Sequence, residues 1–249
     1  MLEVTDITKR FDGVVALNHF SLTLKRTAIT SLIGPNGSGK TTLFNIIMGL
    51  VQPEGGRVLF NSRELTGRPT HKIAGLGISR TFQDLRLFQK LTVMDNLLLA
   101  SREQQGENFL YALSLFSSRS QARRLLLEKS LAMLEQFGLA DKRDALVESL
   151  SYGQQKLLSL ACCIAADAEL LLLDEPAAGV SFTLIERMAT LLDDFVRRQG
   201  RTVLLIEHNL GFVVSVSDTI VVMDEGRKIA EGSASVVQSN EEVLRTYLG

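Results

Sequence analysis

Gly34-Pro35-Asn36-Gly37-Ser38-Gly39-Lys40-Thr41 satisfies GxxxxGK[ST] at every position. The glycines let successive backbone N–H groups turn toward one point. A helix start adds a positive dipole there, which together suits a phosphate chain. Lys40 can reach the outer phosphates, and the Thr41 hydroxyl can ligate Mg²⁺. Thr42 follows and joins the nucleotide-contacting set. A second constellation is Leu170-Leu171-Leu172-Leu173-Asp174-Glu175-Pro176, an apolar run ending in two acids. Asp174 is read as the Mg²⁺ carboxylate and Glu175 as the group that orients or deprotonates an attacking water. The competing reading makes the acids a helix start with Pro176 as its first residue.

Such residues need elements that aim them. Ala28–Ile33, Leu170–Leu173, Val203–Ile206 and Ile220–Met223 are apolar on successive residues, as strands buried on both faces are. Helical patterns over Thr41–Leu50, Gln154–Ala166 and Ile185–Arg198 separate them, which predicts an open, mostly parallel α/β sheet. Leu2–Thr8, Val14–Leu24 and Arg57–Phe60 alternate and carry Gly-containing turns, predicting antiparallel β structure. Asp224-Glu225-Gly226 predicts a hairpin. From about Leu85 to Ser149 the signal is helical, with helices over Val93–Ala100 and Ala122–Phe137. Ser101–Ser120 reads as a variable insertion with a short helix.

The 249 residues are 45% hydrophobic and 22% charged, with a net charge of −1. This composition excludes a mainly disordered chain and a global basic field for nucleic acid. Cys162 and Cys163 are adjacent and read as two small core residues, not a disulfide framework. Asp167 and Glu169 interrupt the most apolar stretch, Leu157 to Leu173, so the chain is expected to be soluble by itself and to meet a membrane only through a partner.

Leu150-Ser151-Tyr152-Gly153-Gln154-Gln155, shortly before the acidic strand, resembles the signature motif of ATP-binding cassette (ABC) ATPases, with Tyr152 in place of the commoner glycine. A plain helix cap at Ser151 is the competing reading. With five motifs in order, the resemblance covers nearly the whole chain. It implies an α/β P-loop NTPase fold with a mostly parallel core sheet, an N-terminal antiparallel β subdomain and an inserted helical subdomain. The expected division is one domain over 1–249, with 1–84 and 150–249 forming the core and β subdomain and 85–149 the helical subdomain. Gln83 in Arg80-Thr81-Phe82-Gln83 matches the glutamine that contacts Mg²⁺ and the attacking water. His208 in Ile206-Glu207-His208-Asn209 matches the switch histidine. Phe11 matches the aromatic residue that stacks on adenine, with a core phenylalanine as competitor. Glu175, His208 and Gln83 are thus the catalytic candidates, and Thr41, Gln83 and Asp174 the metal candidates. Ser151, Gly153 and Gln154 are implied to face the ATP of a second subunit.

Gly77–Gln83, Leu85-Arg86-Leu87-Phe88, Pro176-Ala177-Ala178-Gly179 and Arg245–Gly249 narrow the resemblance to ATPase subunits of branched-chain amino-acid importers of the LivG-like type. Its implications are an ATPase using ATP and Mg²⁺, two transmembrane permease subunits, and a second ABC ATPase subunit, with a heterodimer favoured over a homodimer. A solute-binding protein is an indirect partner and no nucleic acid is implied. The implied location is peripheral, on the cytoplasmic face of the inner (plasma) membrane. Leu85, Leu87, Phe88 and Val93 are read equally as permease docking or internal packing, with Arg86 available to an acidic group. Val180-Ser181-Phe182 departs from the family's usual Leu-Asn-Pro. Other ABC transport ATPases, for urea or amide uptake or lipid export, and non-transport ABC proteins acting on DNA or ribosomes are the alternatives.

Overall fold

The structure is a computed structural model that describes residues 1–81, 85–101 and 116–248. Gln83 and most of the stretch read as an insertion lie outside the described residues. Two sheets form the scaffold. β1 (Leu2–Phe11), β2 (Val14–Leu24), β4 (Gly55–Phe60) and β5 (Arg63–Glu64) make an antiparallel sheet in the order β2-β1-β4-β5. The second sheet holds β3 (Ile29–Ile33), β6 (Ile78–Arg80), β7 (Leu170–Asp174), β8 (Thr202–Ile206), β9 (Thr219–Asp224) and β10 (Arg227–Gly232). Its order is β10-β9-β3-β8-β7-β6. Every pairing in it is parallel except β9 with β10. The β9–β10 turn is Glu225-Gly226, both residues at positive φ, as a two-residue hairpin of this kind requires.

The continuous apolar runs are explained by burial on both faces. Leu171 and Leu173 of β7 pack into one cluster with the helices, and Leu170 and Leu172 into another beneath the antiparallel sheet. Val203 and Leu205 part from Leu204 and Ile206 in the same way. Parallel strands with the same direction bring the carboxyl ends of β3, β6, β7 and β8 to one edge, where ligands of open α/β sheets sit.

Helices α1 (Lys40–Ile47), α2 (Thr70–Gly75), α3 (Val93–Ala100), α4 (Phe116–Gln136), α5 (Tyr152–Ala165), α6 (Phe182–Arg197), α7 (Leu210–Val216), α8 (Ala234–Gln238) and α9 (Glu241–Leu248) complete the described elements. α3 packs on α4 and α5. Boundaries differ from the sequence expectation for local reasons. α1 stops at Ile47, not Leu50, because Gly49 turns at φ 69°, where a Cβ would meet the Arg68 carbonyl oxygen at 2.4 Å. α6 begins three residues before Ile185, and its first residue, Phe182, is 74% exposed. Periodicity registers only the buried stripe Met188, Leu191, Leu192, Phe195 and Val196 further on. Among the described residues no helix is long and apolar enough to cross a membrane.

Candidate nucleotide site

The loop between β3 and α1 is built where side chains do not fit. A Cβ on Gly34 would lie 2.0 Å from the Met223 carbonyl oxygen, and one on Gly39 would lie 2.3 Å from that of Ala16. The loop is therefore clamped between β9 and β2, and Gly39 enters α1 at φ 104°. Ser38 N donates to the Pro35 carbonyl, and Gly226 N donates to the Ser38 carbonyl. Lys40 Nζ donates to the carbonyl oxygens of Gly34 (2.9 Å) and Pro35 (2.8 Å) and to Ser38 Oγ (3.2 Å). Burial pushes the Lys40 ammonium below its ordinary pKa, while Glu175 and Asp174 pull it back up.

A cavity of about 210 Å³ opens here, lined by Ala16, Asn36, Gly37, Gly39, Lys40, Thr41, Thr42, Glu175 and His208. Elements distant in sequence converge on it: the β2 strand, the loop, the start of α1 and the ends of β7 and β8. A larger cavity, about 450 Å³, lies among α3, α4 and α5 and is lined by none of the candidate residues. The smaller one is the candidate site because the convergent polar groups are there.

The acidic strand end is held in a turn. Glu175 has φ 48° and its N–H donates to the Ile206 carbonyl. The chain then turns through Pro176–Gly179, and α6 starts only at Phe182, so the two acids do not open a helix at Pro176. His208 Nε2 lies 3.2 Å from Glu175 Oε1. The buried Glu207 carboxylate organises this approach. Its Oε1 accepts from Ala177 N at 2.7 Å, and its Oε2 accepts from the N–H groups of His208 (3.0 Å) and Asn209 (3.2 Å). One side chain thereby ties the turn after Glu175 to the loop carrying His208. Lys156, from α5, donates to the Glu175 carbonyl at 3.0 Å. Sequence reading missed both Glu207 and Lys156. Their signal was a charged residue inside an apolar context, Glu207 after Ile206 and Lys156 before Leu157.

The remaining candidates stand in three places. Asp174 is buried and pairs with Arg80 at 2.8 Å. Phe11 ends β1 and is 44% exposed, which removes the core alternative, but it does not line the cavity. Ser151 caps α5 in a reciprocal box: Gln154 N donates to Ser151 Oγ, and Ser151 N donates to Gln154 Oε1. Ser151, Gly153 and Gln154 also lie outside the cavity lining. The Tyr152 ring is half-exposed and reaches Gly179, where a Cβ would meet it at 3.2 Å. Leu87 packs against the helical core, whereas Phe88 is 61% exposed.

The hydroxyl of Thr41 and the carboxylate of Asp174 are hard oxygen donors, the kind Mg²⁺ takes. Such ions are commonly held by one or two protein oxygens plus substrate phosphates. Among the described residues no group of three or more His, Cys, Asp or Glu is gathered as a metal cage. The donor chemistry fits a phosphate-shared Mg²⁺.

Residues 17–178 match the family model described as ABC transporter. The high-affinity branched-chain amino acid transport ATP-binding protein BraF of Pseudomonas aeruginosa is 38% identical over 249 residues, covering 100% of this chain and 98% of that one. The corresponding protein LivG of Escherichia coli (strain K12) is 37% identical with the same coverage. Among solved structures, the ADP conformation of MJ1267, an ATP-binding cassette of an ABC transporter, superposes with a TM-score of 0.84 at 31% identity, covering 100% of this chain and 98% of that one.

Proposed function

This chain belongs to the ABC transporter family, and from that membership we propose that it powers the import of branched-chain or other hydrophobic amino acids. It is the ATP-binding, ATP-hydrolysing subunit of an ABC transporter. The observation that carries the assigned chemistry is the cavity shared by the Gly34–Thr41 loop, Glu175 and His208. The solute class rests on 37–38% identity along the full chain to branched-chain amino-acid transport proteins.

In this reading the loop N–H groups and the start of α1 bind the phosphates. Lys40 Nζ leaves its loop oxygens for the β- and γ-phosphates. Mg²⁺, when bound by Thr41, Asp174 and Gln83, neutralises phosphate charge. Glu175 holds the attacking water and accepts its proton, and His208, whose Nε2 lies 3.2 Å from Glu175 Oε1, faces the terminal phosphate. Ser151 and Gly153 serve the nucleotide on a second ATPase subunit, so the nucleotide joins two chains by charge-assisted hydrogen bonds. Its hydrolysis opens that joint and drives the permeases between their access states. Residues 1–84 and 150–249 act as the nucleotide-binding core and 85–149 as the helical arm. The chain works against two permeases on the cytoplasmic membrane face.

Purification from native membranes in mild detergent tests the assembly. Two multi-span permeases, a second ATPase and uptake of labelled leucine, isoleucine or valine by the reconstituted complex are expected. Recovery without permeases removes the importer assignment, and a complex that transports none of these solutes removes the branched-chain assignment. Glu175→Gln tests the chemistry: turnover should fall at least about 100-fold while ATP binding persists.

A further inference from the structure

Arg80 has no role in the chemistry assigned above, yet it is bonded directly to that chemistry. It ends β6, the edge strand beside β7. Its side chain is 4% exposed, as is that of Asp174. Nη2 donates to Asp174 Oδ2 at 2.8 Å, and Nη1 donates to Asn45 Oδ1 at 2.7 Å. The guanidinium carbon lies 5.3 Å from the Phe44 ring centroid. Phe44 and Asn45 belong to α1, the helix whose first residues are Lys40 and Thr41. The guanidinium is thus gripped by the helix that carries one proposed metal donor, Thr41, while it holds another, Asp174.

We propose that Arg80 is a positioning residue for Asp174: a built-in counter-ion that sets divalent-cation affinity by competing with the metal for the carboxylate. This rests on the nucleotide reading above. Asp174 does not need Arg80 to place its main chain. Its N–H donates to Thr81 Oγ1 at 3.0 Å, and it pairs with Ile206 in β8. What Arg80 governs is the charge and aim of the carboxylate. A buried carboxylate deprived of its partner is strongly disfavoured, so the pair protects the metal-free site. A dication that shares this carboxylate meets a fixed cation at hydrogen-bonding distance from it, and the repulsion between the two weakens metal binding. A merely structural brace would stabilise the chain equally with and without metal.

The test is Mn²⁺ binding to the ADP-loaded full-length chain, followed by electron paramagnetic resonance, in wild type, Arg80→Gln and Arg80→Lys. Arg80→Gln should bind Mn²⁺ about tenfold more tightly. Arg80→Lys keeps the charge and should stay within about threefold of wild type. Binding of ADP in excess chelator should be the same in all three. Unchanged or weaker Mn²⁺ binding by Arg80→Gln overturns the proposal. Where Arg80→Gln does not fold, Asn45→Asp offers the guanidinium a competing carboxylate and should tighten Mn²⁺ severalfold; no change there also overturns it. A wild-type chain that binds no Mn²⁺ with ADP overturns the nucleotide reading itself, which is a distinct result.

Discussion

Glu207→Gln isolates the carboxylate that joins the Glu175 turn to the His208 loop. The native side chain is 2% exposed and accepts three backbone N–H groups, one on Oε1 and two on Oε2. An amide of the same shape has one acceptor oxygen. With that oxygen turned to His208 and Asn209, the NH₂ faces Ala177 N, donor against donor. One charge-assisted bond is lost, one buried N–H is left without an acceptor, and the two remaining bonds become neutral. The expected cost is roughly 2–4 kcal/mol. In a domain of this size that lowers the melting temperature by roughly 5–15 °C. The assay is urea unfolding at neutral pH, paired with steady-state ATP hydrolysis well below the variant's melting range. Turnover should fall more than nucleotide affinity does, because Glu207 positions Glu175 and His208 and not the Gly34–Thr41 loop. A stability loss under about 0.5 kcal/mol, the size of an ordinary surface substitution, would refute the reasoning.

Gly34→Ala places a Cβ 2.0 Å from the backbone oxygen of Met223, so the loop must shift; nucleotide affinity, read by calorimetry, should drop at least about tenfold. The thiols of Cys162 and Cys163 are both pushed up to about 12 by burial, from an ordinary 9.0. The unfolded chain therefore sheds these protons first, and stability should fall as pH rises from 9 toward 12. A Cys162→Ala/Cys163→Ala variant should lose less stability over that window in denaturant titrations, and an identical decline in both proteins would contradict the assignment.

The fold was legible where one physical requirement dominated. The four apolar runs had to be buried on both faces, and each is a strand of the parallel sheet. The loop glycines announced a tight turn, and the structure shows carbonyl oxygens where side chains would stand. Lys40, Thr41, Thr42, Glu175 and His208 come from three segments spread over the chain, and the structure brings them to one cavity. What the sequence concealed was the wiring between those segments. Glu207 passes for the polar neighbour of a histidine, and Arg80 for a residue inside a motif whose notable member is Gln83. Nothing in residue type or spacing says that Arg80 will find Asp174, 94 residues away, because that contact depends on β6 lying beside β7. Helix starts were read late for a related reason. Phe182 and Tyr152 are exposed at the first turns of α6 and α5, so the apolar stripe begins only after each helix has begun.

These concealed residues share one property that bears on how the site works. The edge where β3, β7 and β8 end must stay open to a polar ligand, so apolar packing cannot hold it. Charged side chains with buried partners take over. Arg80 joins the end of β7 to α1, Glu207 joins it to the loop after β8, and Lys156 joins it to α5 through the Glu175 carbonyl. Lys156 lies one turn after Tyr152, with its ammonium 5.6 Å from that ring centroid, and the ring in turn abuts Gly179. The helix proposed to serve a second subunit's nucleotide is therefore bonded to the residue proposed to hydrolyse this subunit's own. The left-handed φ of Glu175 makes that backbone position depend on its external hydrogen bonds.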